Sequence, residues 1–262
     1  MNIFVFDIET VPDTENGRKL YHLGDLNDHD TAAAMFALRR EKVGHEFLPL
    51  HLQRIVAISV VFKKNTDLKV WSLGTADSSE KELIERFYHG IEKYTPTLVS
   101  WNGSGFDLPV LHYRSLLHGV TAHRYWEVGE SDQSFRWNNY INRYHYRHTD
   151  IMDILAAYQA RANAPLDEIA TLLGLPGKMG MSGGHVWQQF LDGNIEQIRN
   201  YCETDVLNTY LVYLRLELIR GQIDQLQYQE ECHQVKTVLE RSDQTHLKEF
   251  LTHWQSQDMN SF

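Results

Sequence analysis

The stretch Ile3-Phe4-Val5-Phe6-Asp7-Ile8-Glu9-Thr10 decides the fold. Its first four residues are apolar and rich in β formers, which predicts a central strand. The run stops at Asp7 in polar chemistry, with Pro12 and Asp13 just beyond. The two-residue repeat of a strand sends Asp7 and Glu9 to the same side. Two carboxylates facing one way repel unless a divalent cation sits among them, and hard oxygen donors of this kind suit Mg²⁺ or Mn²⁺. A pair of solvated loop acids would look the same, so one Asp-x-Glu decides nothing about function.

Working outward, residues 13–52 hold little strand signal and one Ala-rich helix over about 31–42, which predicts an insertion packed on the core. Residues 54–62 and 68–73 read as strands joined by a polar turn, so the sheet is expected to begin as an antiparallel meander. Leu83, Ile84, Phe87 and Ile91 fall at helical spacing, and residues 97–101 return as a strand. Asn102-Gly-Ser-Gly-Phe-Asp107 then turns into a helix over about 108–117. Further helices are expected over 166–173, 184–191 and 195–219. A last one carries Leu247, Phe250, Leu251 and Trp254 on one stripe, for which core packing is the preferred reading.

Composition narrows the class. In 262 residues, 42% hydrophobic and 23% charged with 6 Pro and 16 Gly, there is material for one α/β core plus an appendage, and none of the signs of a collagen-like, Cys-scaffolded or disordered chain. The apolar run at 55–62 is broken by Ser59, far short of the roughly 20 residues that cross a bilayer. The first residues lack the basic region of a signal or transit peptide, so a cytoplasmic protein with no membrane contact is expected. Cys202 and Cys232 form no Cys-x-x-Cys pair, and neither a structural zinc nor thiol chemistry is expected. The 14 His residues make no recognisable ligand motif, and His148 with Asp150 reads as a hydrogen-bonded structural pair. A net charge of −10 argues against a broad basic face gripping duplex nucleic acid. It leaves room for an acidic enzyme that meets phosphates through bound cations.

Two more acids stand out. Asp107 follows a strand through a Gly-rich turn and opens a helix, where a carboxylate is also an ordinary N-cap. Asp205 lies mid-helix with Tyr201 one turn earlier, so phenol and carboxylate share a face. Facing inward it needs a partner, and facing solvent it needs none. Tyr146-x-x-x-Asp150 and His145-x-x-x-x-Asp150 imitate this third element, but no apolar helical turn precedes Asp150.

Taken in order, Phe6-Asp7-Ile8-Glu9-Thr10, then Trp101-Asn102-Gly103-Ser104-Gly105-Phe106-Asp107-Leu108-Pro109, then Tyr201-Cys-Glu-Thr-Asp205, the sequence resembles the DEDD superfamily of 3′–5′ exonucleases. Within it, the tyrosine-containing, DnaQ-like subgroup is the match, with Asn200 where the other subgroup places His. The segments 148–155 and 177–184 also look like the stand-alone relatives of the proofreading exonuclease domain of family B DNA polymerases. The likeness covers roughly residues 1–220. It implies a ribonuclease H-like α/β fold with a mixed five-stranded sheet flanked by helices, 13–52 and 112–149 being insertions or appended elements and 221–262 a helical extension. No polymerase region follows the third motif, so proofreading within the same chain is not expected, and protein partners are left unassigned.

The resemblance further implies hydrolysis assisted by two Mg²⁺ or Mn²⁺ ions about 3.5–4 Å apart. By position, Asp7 would bridge both ions, Glu9 and Asp205 would complete the site that activates water, Asp107 would hold the second ion partly through water, and Tyr201 would orient the attacking water. An unperturbed phenol is a poor base at neutral pH, so positioning suits Tyr201 better than proton abstraction. Thr10, Asn102 and Phe106 are candidates for holding the terminal nucleotide, although Phe106 also reads as core. The mix of Arg114, Arg124, Arg136, Arg143 and Arg147 with aromatic residues in 112–149 suits either single-strand stacking or a small core of its own. Lys178 reads as a solvated loop lysine or a phosphate contact. The expected substrate is a nucleic-acid 3′ end, single-stranded DNA preferred, with nucleoside 5′-monophosphates released. The competing readings are an exoribonuclease that trims RNA 3′ ends and a non-catalytic nucleic-acid or partner-binding module on a nuclease fold. A complete acidic set that repels phosphate disfavours the latter.

Overall fold

The computed structural model describes residues 2–259; Met1 and the last three residues of the expected extension lie outside them. In chain order the elements are β1 (Asn2–Pro12), α1 (Thr14–Tyr21), α2 (Asp28–Val43), β2 (Gln53–Lys64), β3 (Asp67–Ser72), α3 (Glu80–Tyr94), β4 (Thr97–Ser100), α4 (Asp107–His118), α5 (His123–Trp126) and β5 (His148–Asp150). They continue with α6 (Ile151–Leu155), α7 (Leu166–Leu172), α8 (Val186–Leu191), α9 (Ile195–Ile219), α10 (Gln225–Glu240) and α11 (Thr245–Met259). The five strands form one sheet in the order β3-β2-β1-β4-β5. The β1–β2 and β2–β3 pairs are antiparallel, and β1–β4 and β4–β5 are parallel. The mixed five-stranded α/β sheet expected from the motifs is therefore present, beginning with the expected meander.

Alternation along β1 divides the core. Phe4, Phe6 and Ile8 face α3 and α4 and join Phe87, Ile91 and Leu111, while Val5 faces the opposite layer with Leu207, Tyr210 and Leu211 of α9. Asp7 and Glu9 share the parity of Val5, so both acids point toward α9. Burial of large side chains on both faces, each contributing about 1.5–3 kcal/mol, fixes this register, because a one-residue slip would drive the acids into the Phe4 and Phe6 layer.

Three expectations about local structure are corrected. The strand does not end at Asp7: it runs to Pro12 because β2 pairs with it through Pro12↔Gln53, with a register shift between Glu9 and Thr10. Backbone pairing to β2 is indifferent to the charge of side chains that leave the sheet plane, and the bulge re-aims the strand just past the acids. Asp107 is not an N-cap, since Phe106 holds that position without a side-chain cap bond. His148 does not bond Asp150; its Nε2 lies 2.8 Å from Ser100 Oγ.

The insertion and the last helices are tied to the sheet by polar contacts. Arg114 of α4 is 3% exposed and bonds both Glu80 oxygens, Nε to Oε1 at 2.7 Å, together with Asp13 at the end of β1. Glu80 Oε1 also accepts from the Ile55 amide of β2 at 2.7 Å. On the other face, Leu247, Phe250, Leu251 and Trp254 of α11 are buried in the α9 layer, as their spacing predicts. Glu203 of α9 joins His246 of α11 at 2.8 Å and Ser72 of β3 at 2.7 Å. Among the described residues no helix is long and apolar enough to cross a membrane.

Candidate active site

The site forms where β4 is shorter than β1. The parallel pairing runs from Ile3↔Thr97 to Val5↔Val99, so beyond it the amides of β1 on that edge lack a strand partner. Asp107, the first residue of α4, fills the gap: its Oδ1 accepts from the Ile8 amide, midway between Asp7 and Glu9, at 3.1 Å. The loop that brings it there is tightly built. Asn102 adopts a left-handed φ of 63°, and a Cβ at Gly103 would collide with the Ser100 side chain.

Asp150 holds that loop. It is 5% exposed, caps α6 through the Asp153 amide at 3.3 Å, and also accepts from Asn102 N at 3.0 Å and Ser104 N at 2.8 Å. Its resemblance to a third-motif acid is thus superficial, and its work is to position Asn102 and Asp107. Asp150→Ala would leave three backbone donors short of an acceptor and is expected to cost about 2–5 kcal/mol of stability. Denaturant unfolding measures this, and a loss below about 1 kcal/mol would contradict the clamp.

From the other layer, α9 presents Tyr201, Cys202 and Asp205 to the acids. Asp205 faces inward and takes a hydrogen bond from the Tyr201 phenol, and its charge reaches both Asp7 and Glu9. Cys202 Sγ lies 3.4 Å from both the carbonyl oxygen and Oδ2 of Asp7. Metal-ligating atoms of Asp7, Glu9 and Cys202 fall within 4.8 Å of one another. All four sequence-predicted acids and Tyr201 therefore meet at one place.

The electrostatics follow from crowding and burial. Asp7 is pushed well up by desolvation and then by Asp107, Glu9 and Asp205; Glu9 is pushed well up by desolvation, then Asp205 and Asp107. Burial raises Asp107 to about 7 and Asp205 to about 6, the latter against the opposing effects of the Tyr201 hydrogen bond and Lys178. Desolvation, followed by Asp205 and Glu9, raises the Tyr201 phenol, so it stays neutral at physiological pH. Cys202 is raised for the same first reason and remains a thiol.

A native state that holds protons the unfolded chain has released loses stability as pH rises through that interval. For these acids the cation-free fold should weaken between about pH 4 and about pH 7. A divalent cation should restore more stability at pH 8 than at pH 5, since at pH 5 it must first displace protons. Thermal denaturation with Mg²⁺ or chelator at the two pH values checks this, and an equal or larger cation shift at pH 5 would contradict it.

Beside the acids opens a cleft of about 670 Å³ lined by Glu9, Thr10, Asn102 and Phe106, with Phe47 and Trp187. The three sequence-predicted nucleotide contacts thus share one wall system. Phe106 is half-buried: it packs against the core layer of Phe4, Phe6 and Phe87 and also lines the cleft, its ring centroid 5.8 Å from that of Phe47. Phe47 belongs to the insertion and is 56% exposed. No sequence pattern singles it out between Glu46 and Leu48-Pro49-Leu50.

Lys178 is another residue the sequence undersells. Asn208, one turn beyond Asp205, brackets Gly177 by bonding its amide at 3.3 Å and its carbonyl at 3.0 Å, and the Lys178 amide bonds Asp167 Oδ1 at 2.6 Å. Gly177 is in the left-handed region at φ 61°, where a Cβ would also press on Asp167 Oδ1 at 2.7 Å. The turn directs the Lys178 charge at Glu9 and Asp205, whose pKa values it lowers.

The Arg and aromatic mixture of 112–149 is mostly packing. Tyr125, Phe135 and Tyr140 are buried, Arg124 and Arg147 lie over the Phe135 ring at 5.2 and 3.7 Å, and Arg114 is spent on Glu80 and Asp13. Trp126, Trp137, Tyr144 and Tyr146 remain exposed.

A family model described as a predicted 3′–5′ exonuclease related to the exonuclease domain of PolB matches residues 45–254. The chain belongs to that family. The matched span contains Asp107, Tyr201 and Asp205 and reaches into α11, while Asp7 and Glu9 on β1 precede it. No curated protein matches the chain. Membership in the PolB-related exonuclease family agrees with the resemblance read from the three motifs.

Proposed function

We propose that this chain is a divalent-cation-dependent 3′–5′ exonuclease that acts on single-stranded DNA and releases nucleoside 5′-monophosphates. The observation that carries the reading is the gathering of Asp7, Glu9, Asp107 and Asp205 within electrostatic reach of one another, with Glu9 opening onto a cleft walled by aromatic rings. The donor set fits Mg²⁺ or Mn²⁺: hard carboxylate oxygens, crowded until their pKa values rise, with Lys178 on one side. These four residues would hold two such ions, with Asp7 at the centre of the set. When bound, the ions would neutralise the acids, lower the pKa of the attacking water and stabilise the departing 3′ oxygen.

The chain's own groups do the remaining work. Tyr201, kept neutral, keeps its proton and donates a hydrogen bond to Asp205 while its oxygen orients water, and the Cys202 thiol steadies Asp7. Phe47, Phe106 and Trp187 suit stacking on unpaired bases, and Thr10 and Asn102 supply polar contacts to the terminal nucleotide. A net charge of −10 offers no broad surface for duplex, which favours a single strand. We assign residues 1–220 to the nuclease domain and 221–262 to a helical extension. Cys202 and Cys232 are not joined in a disulfide, which suits a reducing, cytoplasmic setting.

Digestion of matched DNA and RNA oligomers labelled at the 5′ or the 3′ end tests the proposal. With Mg²⁺ or Mn²⁺ the 3′ label should leave first as a mononucleotide, the 5′ label should give a descending ladder, and DNA should be cut faster. Internal cleavage or undiminished cutting in chelator contradicts the mechanism, and faster RNA cutting replaces the substrate.

A further inference from the structure

A second cavity of about 630 Å³ opens on the far side of the Asn102–Gly105 turn from the acids, and Asn102 and Gly105 line both spaces. The turn is therefore a common rim. The second cavity is lined by rings: Trp126, Tyr158 and His112 among them, with Tyr125 and Tyr140 behind. Trp126 is 50% exposed and its ring centroid lies 4.8 Å from that of His112, which burial keeps neutral by lowering its pKa to about 4. These rings exceed what the local core needs, since Tyr125 and Tyr140 already close it.

The backbone carries a second sign. Ala157 and Tyr158 both adopt left-handed conformations, with φ of 49° and 59°. Non-glycine residues in that region cost of order 1 kcal/mol or more each, and such strain clusters at ligand sites. Here it sets the Tyr158 ring at the cavity wall, half-buried, 5.2 Å beneath the Arg143 guanidinium and with its centroid 4.8 Å from that of Tyr144. Arg143 in turn is fixed by two bonds of 2.8 Å to Asp153. Two flat, anchored π surfaces in one cavity, with no basic side chain left unpaired toward it but Asn102 and Ser104 at its edge, suit an uncharged aromatic heterocycle with hydrogen-bonding edges.

We infer that this cavity is a base-binding subsite that receives an unpaired nucleobase of the substrate strand, upstream of the nucleotide being released, by stacking on Trp126 and Tyr158. The inference rests on the nucleic-acid substrate proposed above and adds where the strand goes after it leaves the acids. The shared rim makes the path short, and stacking is indifferent to base identity, which suits an exonuclease that meets every sequence.

The test uses the full chain and oligomers carrying 2-aminopurine at successive positions from the 3′ end, whose fluorescence is quenched on stacking. Binding is read in chelator and hydrolysis with Mg²⁺. For wild type one upstream position should be quenched. Tyr158→Ala and Trp126→Ala should abolish that quenching, weaken binding of long oligomers about tenfold, and leave unchanged the hydrolysis of thymidine 5′-monophosphate p-nitrophenyl ester, which has no upstream base. Tyr158→Phe should retain quenching, which separates ring loss from misfolding. Hydrolysis by wild type with quenching unaffected by either alanine variant overturns the subsite and leaves the exonuclease reading standing. Ring-dependent quenching without hydrolysis overturns the exonuclease reading and leaves the subsite, and absence of both overturns both.

Discussion

Asp7→Asn is expected to reduce cation-dependent hydrolysis of oligonucleotides at least about a thousandfold, corresponding to about 4 kcal/mol of transition-state stabilisation. Asp7 is the acid that feels all the others: Asp107, Glu9 and Asp205 each raise its pKa after burial has done so. An amide at this position removes a charged oxygen from the centre of the donor set while keeping its shape and an oxygen that can still accept from Cys202. The same substitution should stabilise the cation-free protein. At neutral pH the native state must either keep Asp7 charged among like charges or hold a proton that the unfolded chain has released, and Asn does neither. Activity lost together with an unchanged or raised melting temperature in chelator is the expected pair of results. Near-normal turnover would remove Asp7 from the chemistry, and a collapse of stability would mean that the carboxylate is structural.

Arg114→Met should be the most damaging substitution away from the acids. The guanidinium is 3% exposed and joins Glu80 of α3, Asp13 after β1 and, through Glu80, the Ile55 amide of β2. Replacing it takes the guanidinium from two buried carboxylates, leaving Glu80 with His118 and the Ile55 amide and Asp13 with Asn16, a loss of about 3–5 kcal/mol. For a chain of this size that lowers the melting temperature by roughly 6–20 °C. The loss should shrink toward pH 4–5, where acids that have lost their guanidinium can take up protons. Because Asp13 follows the strand that carries Asp7 and Glu9, residual activity at low temperature should also fall. A change below about 1 kcal/mol at pH 7, followed by thermal or denaturant unfolding, would contradict this role.

What could be read in the sequence follows physical range. Asp7 and Glu9 were legible as a pair because the strand period needs no tertiary information, and Tyr201 with Asp205 because helical spacing is equally local. The three-residue β5 gives no period to detect, and it exists because Leu98↔His148 and Ser100↔Asp150 pairing extends the sheet. Helix α10 escapes a reading of apolar runs because only Val235 and Leu239 are fully buried. Its signals are the Asp224 and Gln227 capping box and the spacing of Tyr228, Cys232, Val235 and Leu239. Phe47 and Lys178 owe their places at the cleft to long-range contacts, a loop from the insertion and the Asn208 bracket, that no local pattern encodes. Asp150 carries a local signal, an Asp three residues before Asp153 at a helix start, but its bonds to Asn102 and Ser104 span nearly fifty residues.

The central claim is that four acids from β1, α4 and α9 make one divalent-cation site, and Mn²⁺ binding followed by electron paramagnetic resonance tests it most directly. Wild type should bind Mn²⁺ at pH 8, lose it as the pH falls toward 5, release it to excess Mg²⁺, and bind far less after Asp7→Asn. Mn²⁺ binding that is absent from wild type, or equal in wild type and Asp7→Asn, would contradict the account.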